Sequence, residues 1–123
     1  MVRKQADVAF SMPGGEACGQ SPGRPVDLVH LARQTMGDRE LEREVLGLFV
    51  QQALSVRDEI AAADAKRRLF LAHGLKGAAR GIGAFAVADC AAEIERDPQD
   101  GRALRRLGGL IDSVRDFVAA ISR

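Results

Sequence analysis

Between Leu41 and Ala63 the apolar residues return at steps of four and three, as Leu41, Val45, Leu48, Val56, Ile60 and Ala63, with Gln52 as a polar exception in the stripe. That period is helical, and Glu40, Glu42 and Glu44 suit the positive end of the helix dipole. Asp38 stands where an N-cap belongs. Upstream, Leu28, Val29, Leu31 and Ala32 predict a short helix capped by Asp27, stopping at Gly37, a residue suited to left-handed backbone.

The same reading predicts a third helix from Asp64 to Gly81 or Gly83 and a fourth from Ala84 to Arg96. Asp97 is expected to cap a fifth with Pro98 at its first position. Leu104, Leu107, Ile111, Val114, Val118 and Ile121 give that helix an unbroken stripe. Gly108 and Gly109 inside it mark either the close approach of a neighbour or a tolerated cost of about 1 kcal/mol per glycine. No segment alternates with period two. The expected fold is therefore all-α: an antiparallel up-down four-helix bundle over residues 26–123 with a short N-terminal cap helix. Residues 1–25 hold three of the four prolines with little periodicity and are expected to form a flexible tail.

Composition narrows the function. With 123 residues, 46% hydrophobic and 28% charged, the chain is long enough for one modest core. Its 18 basic and 17 acidic residues nearly cancel, so no global field points to nucleic acid or an anionic membrane. Trp and Tyr are absent, which disfavours a base-stacking platform. Cys18 and Cys90 sit in unlike settings and make no disulfide framework. No signal peptide and no apolar run of about 18 residues is visible, so the expectation is a soluble, cytoplasmic monomer.

The third helix carries the candidate chemistry. At about 100° per residue, Lys66, Lys76, Gly77 and Arg80 fall within roughly 60° of His73. Leu71, Ala72, Leu75, Ala78, Ala79 and Ile82 form a buried stripe on the opposite side, which leaves His73 facing solvent. Leu69 and Phe70 flank it as an apolar rim. Imidazole offers a nucleophilic neutral nitrogen near neutral pH. Lys76, one turn away, can neutralise an anion on the ring. Gly77, a poor helix former, removes a side chain that would shield the histidine from a partner. Together these residues suit a phosphoryl carrier.

The run His73-Gly74-Leu75-Lys76-Gly77-Ala78-Ala79-Arg80-Gly81-Ile82-Gly83-Ala84 resembles the motif of histidine-containing phosphotransfer (HPt) domains: His-x-Leu-Lys-Gly, small residues, then Gly-Ala. The likeness extends more loosely over residues 26–123. It implies that His73 is phosphorylated, that Lys76 is the cation beside the phosphoryl group, and that Gly77 is the clearance for an incoming receiver domain. Leu69, Phe70, Arg80 and Lys66 would then be docking residues. Ala78 and Ala79 stand where many members carry a serine. Implied partners are the receiver domains of a hybrid histidine kinase and a response regulator, with no cofactor of the chain's own and Mg²⁺ supplied by the receiver. No nucleotide-binding loop is present, so autonomous kinase activity is not expected.

Other residues are read more plainly. His30 is expected to pack or lie on the surface, and His30, His73, Cys18 and Cys90 have no metal-ligand spacing. Glu93 or Glu95 comes level with His73 across an antiparallel turn; either could orient the ring through Nδ1, or be a solvated charge. Lys66, Arg67 and Arg68 spread around the helix, Arg68 toward the core. Two rival readings remain at this level: a non-catalytic helical interaction module with an incidental histidine, and a nucleic-acid-binding helix using Lys66, Lys76 and Arg80.

Overall fold

A computed structural model describes residues 24–122, which form five helices and no strand. The tail expected over residues 1–25 lies outside the described residues except for Arg24 and Pro25, as does Cys18. The helices are α1 (Leu28–Gln34), α2 (Arg39–Ile60), α3 (Ala65–Ile82), α4 (Phe85–Arg96) and α5 (Gly101–Ile121). Aspartate starts four of them. The carboxylates of Asp27, Asp38, Asp64 and Asp100 each accept from backbone N–H groups of the first turn, satisfying donors that have no intrahelical partner.

Every connection between α2, α3, α4 and α5 is short, so successive helices run antiparallel. α2 packs on α3 and α5, and α4 packs on α3 and α5, which closes a four-helix ring; α1 lies against α2 and α3. Leu75, Val87, Ile94, Leu107, Ile111 and Val114 fill the centre, each at most 1% exposed. Burial of each such side chain contributes about 1.5–3 kcal/mol. Ala72 and Ala79 of α3 and Ala88 and Ala91 of α4 are fully buried where these helices meet, and side chains that small let the two backbones come close.

The core of α2 differs from the sequence expectation. Leu46, Phe49, Ala53, Val56 and Ile60 are buried, whereas Leu41 is 42% and Leu48 65% exposed. Two stripes share Val56 and Ile60, and the stripe containing Phe49 is the one that turns inward, on the flank of α2 that α3 and α5 cover. α5 also starts later than expected. Asp97 accepts from Gln99 N–H in the connecting turn, and Asp100 is the cap, so Pro98 precedes the helix. A Cβ at Gly108 would only touch the Arg57 stem at 3.9 Å and one at Gly109 would meet nothing; no neighbour approaches closely there.

The end of α3 is tightly determined. Gly83 has φ +89, and a Cβ on it would lie 2.8 Å from the Asp27 carbonyl oxygen. Asp27 N–H donates to Gly83 O at 2.9 Å, so α1 is fastened to the C-cap of α3. Only glycine meets both the left-handed backbone and the close approach.

Candidate functional site

His73 lies at the middle of α3, off the buried stripe of Leu71, Ala72, Leu75, Ala79 and Ile82, and its side chain is 75% exposed. Ala84, at the turn between α3 and α4, is equidistant in sequence from His73 and Glu95. With the helices antiparallel and drawn close by their alanines, those two residues come level. His73 Nδ1 is 2.9 Å from Glu95 Oε2. A carboxylate can only accept, so Nδ1 carries the hydrogen and donates it. In the neutral ring the lone pair is then on Nε2, on the side of the imidazole away from Glu95.

Lys76 completes the arrangement from one turn further along α3. Its Nζ lies 2.5 Å from Glu95 Oε1, and both side chains are 21% exposed. The Lys76 ammonium holds the Glu95 carboxyl below the ordinary glutamate range; desolvation opposes this, and the His73 hydrogen bond adds to it. Lys76 is thus paired with Glu95 as well as lying one turn from His73. The attraction of a half-buried carboxylate draws it onto α4, and Glu95 bridges lysine and histidine. Glu93 takes no part: it pairs with Arg106 at 2.6 Å.

The other side of α3 is open. A Cβ built at Gly74, Gly77 or Gly81 would meet nothing within 4 Å. Leu69 is 41% and Phe70 68% exposed, with the Arg67 guanidinium 5.2 Å from the Phe70 ring centroid. Lys66 and Arg80 are exposed and form no ion pair among the described residues. Lys66, His73 and Arg80 thus lie along one helix face with a cation about 10 Å to either side of the ring.

The other chemistry-bearing residues serve the fold. Arg67 pairs with Glu59 at 2.5 Å. Arg68 donates to the carbonyls of Ile60, Ala61 and Pro98, capping the end of α2 and tying it to the α4–α5 turn. His30 packs edge-on against Phe85 at 5.1 Å. The buried Cys90 thiol donates to Ala103 O, and burial raises its pKa. Among the described residues no group of three or more His, Cys, Asp or Glu could hold a metal ion, and no helix is long and apolar enough to cross a membrane.

The sequence model of one family, the Hpt domain, matches residues 44–121, which takes in the whole of α3, α4 and α5 and most of α2. The chain belongs to the Hpt domain family. Hpt domains are helical-bundle phosphocarrier modules rather than kinases, which assigns the chain in general terms to histidine phosphotransfer in phosphorelay and to interaction with receiver domains. The helix α1 lies outside the stretch matched to the Hpt domain. No curated protein and no solved structure matched the chain.

Proposed function

We propose that this Hpt domain carries a phosphoryl group on Nε2 of His73, taking it from the phosphoaspartate of a hybrid kinase's receiver and passing it to the receiver aspartate of a response regulator. The observation that carries this reading is the Nδ1–Glu95 hydrogen bond at 2.9 Å. In the forward step the P–O bond of the aspartyl phosphate breaks as a P–N bond to Nε2 forms, and the aspartate leaves as a carboxylate. Nδ1 keeps its hydrogen throughout. Positive charge then builds on the ring, where the Glu95 carboxylate offsets it. The return step reverses these changes.

Transfer of this kind depends on positioning and charge neutralisation. Lys76 and Glu95 position the ring. Lys66 and Arg80 attract an acidic receiver site, while Leu69, Phe70 and the bare surface at Gly77 supply docking area. On this reading the domain acts as a monomer in the cytoplasm, has no kinase activity of its own, and leaves the divalent metal to the receiver.

The test is His73→Gln. Incubated with receivers of the source genome and acetyl phosphate, the wild type should gain an acid-labile label on His73 Nε2. The variant should gain none, with its melting temperature within about 2 °C because the residue is off the core. Label retained in the variant, or label found on Nδ1, overturns the assignment.

A further inference from the structure

Gln52 is the polar residue that interrupts an otherwise apolar stripe on α2, and the packing of α2 on α3 gives it a place. Glu59 of α2 and Arg67 of α3 are joined at 2.5 Å, which fixes the register of this antiparallel pair. Two turns toward the start of α2 from Glu59 is Gln52, and two turns toward the end of α3 from Arg67 is Gly74. Both shifts cover about 10 Å and return to nearly the same helix face. Gln52 therefore comes level with Gly74, beside His73, on the flank of α3 opposite Glu95. Axes of packed helices lie roughly 8–10 Å apart, a gap that a glutamine side chain can cross.

Two further observations bear on what it does there. Gln52 is exposed and makes no side-chain hydrogen bond among the described residues. Gly74 and Gly77 place no side chain in the lane between α2 and the imidazole, where a Cβ would meet nothing. A carboxamide offers two N–H donors and no charge. It can bind phosphoryl oxygens without fixing the group as firmly as an ammonium would.

Building on the reading of His73 as the phosphorylated residue, we propose that the Gln52 carboxamide is a phosphoryl-binding group, donating N–H to the oxygens of the group carried on Nε2. The ring is then held from α4 through Glu95, and its cargo is steadied from α2.

The test needs no partner. The full chain is phosphorylated with potassium phosphoramidate, a small P–N donor, and the phosphohistidine resonance is followed by ³¹P NMR as pH is varied. Loss of a donor destabilises the dianion, so Gln52→Ala should raise the titration midpoint by about half a pH unit. Gln52→Glu adds a like charge and should raise it by about one unit or more. Gln51→Ala, on the next exposed position away from α3, should leave it unchanged. A residue that only supports folding or docking would not move this midpoint, and circular dichroism checks that each variant is folded. Equal midpoints in wild type, Gln52→Ala and Gln52→Glu overturn the role of Gln52 alone. No phosphohistidine at position 73 of the wild type overturns it together with the function on which it rests.

Discussion

The two flanks of α3 use small residues for opposite ends. Toward α4, Ala72, Ala79, Ala88 and Ala91 are fully buried, and the closeness they permit brings Glu95 to 2.9 Å from His73. Toward α2, Gly74, Gly77 and Gly81 face open space, and Phe70 and Leu48 remain exposed. Alanine buries a methyl group and keeps helix propensity, so it builds a contact. Glycine gives up about 1 kcal/mol of propensity relative to alanine and builds nothing. A run of exposed glycines in a helix is therefore informative where a run of buried alanines is not: the missing side chains have no packing reason.

The strongest way to break this contrast is to enlarge the closed flank. Ala88→Leu forces a branched side chain between α3 and α4 and should destabilise the fold by about 3 kcal/mol, read in a urea titration. The hydrogen bond to His73 should be lost with it, seen as a change in the imidazole ¹⁵N shifts. On the open flank the same kind of enlargement should do the reverse. Gly77→Gln should stabilise the fold by up to about 1 kcal/mol while lowering receiver-to-His73 transfer at least about tenfold. A stable variant that transfers at the wild-type rate would mean that the bare surface is not a docking clearance.

Glu95→Gln sharpens the comparison without changing volume. It leaves Lys76 without its anion and makes the acceptor on Nδ1 neutral, and should cost on the order of 1 kcal/mol. Because the folded-state pKa of Glu95 is depressed, its contribution is complete above the ordinary glutamate range and disappears as pH falls through the lower folded value. Chemical denaturation at neutral pH and near pH 3 should therefore show a smaller difference between wild type and Glu95→Gln at acid pH. The smallest effect belongs to Phe70→Ala. Its ring is mostly exposed, so stability should change by less than about 0.5 kcal/mol, whereas the receiver concentration giving half-maximal transfer should rise a few-fold.

Much of this was legible in the sequence. Period, caps and the Gly83-Ala84 turn predict five helices in the observed order, because each signal is local. The stripe that faces away from His73 on α3 is also correct, since only one phase there is apolar. On α2 two phases were nearly equally apolar, and what separates them is which flank α3 and α5 cover, a tertiary fact. The start of α5 slipped because both Asp97 and Asp100 have capping chemistry, and only the length of the turn selects Asp100. At the site, Glu95 was one of two candidate carboxylates. Its equal spacing with His73 about Ala84 was the signal that distinguishes it from Glu93, whose face turns to α5 and Arg106.

The junction of Asp27 and Gly83 has a consequence for how this chain tolerates length changes. The end of α3 is pinned to α1 through the Asp27–Gly83 hydrogen bond, so the azimuth of His73 is counted backward from that point. One residue inserted or deleted between Lys76 and Ile82 turns the imidazole through about 100° and carries it away from Glu95. The same change in the α2–α3 turn, upstream of the ring, leaves that angle untouched and alters only a loop. Descendants of this sequence should accumulate insertions before Asp64 and almost none between the histidine and Gly83.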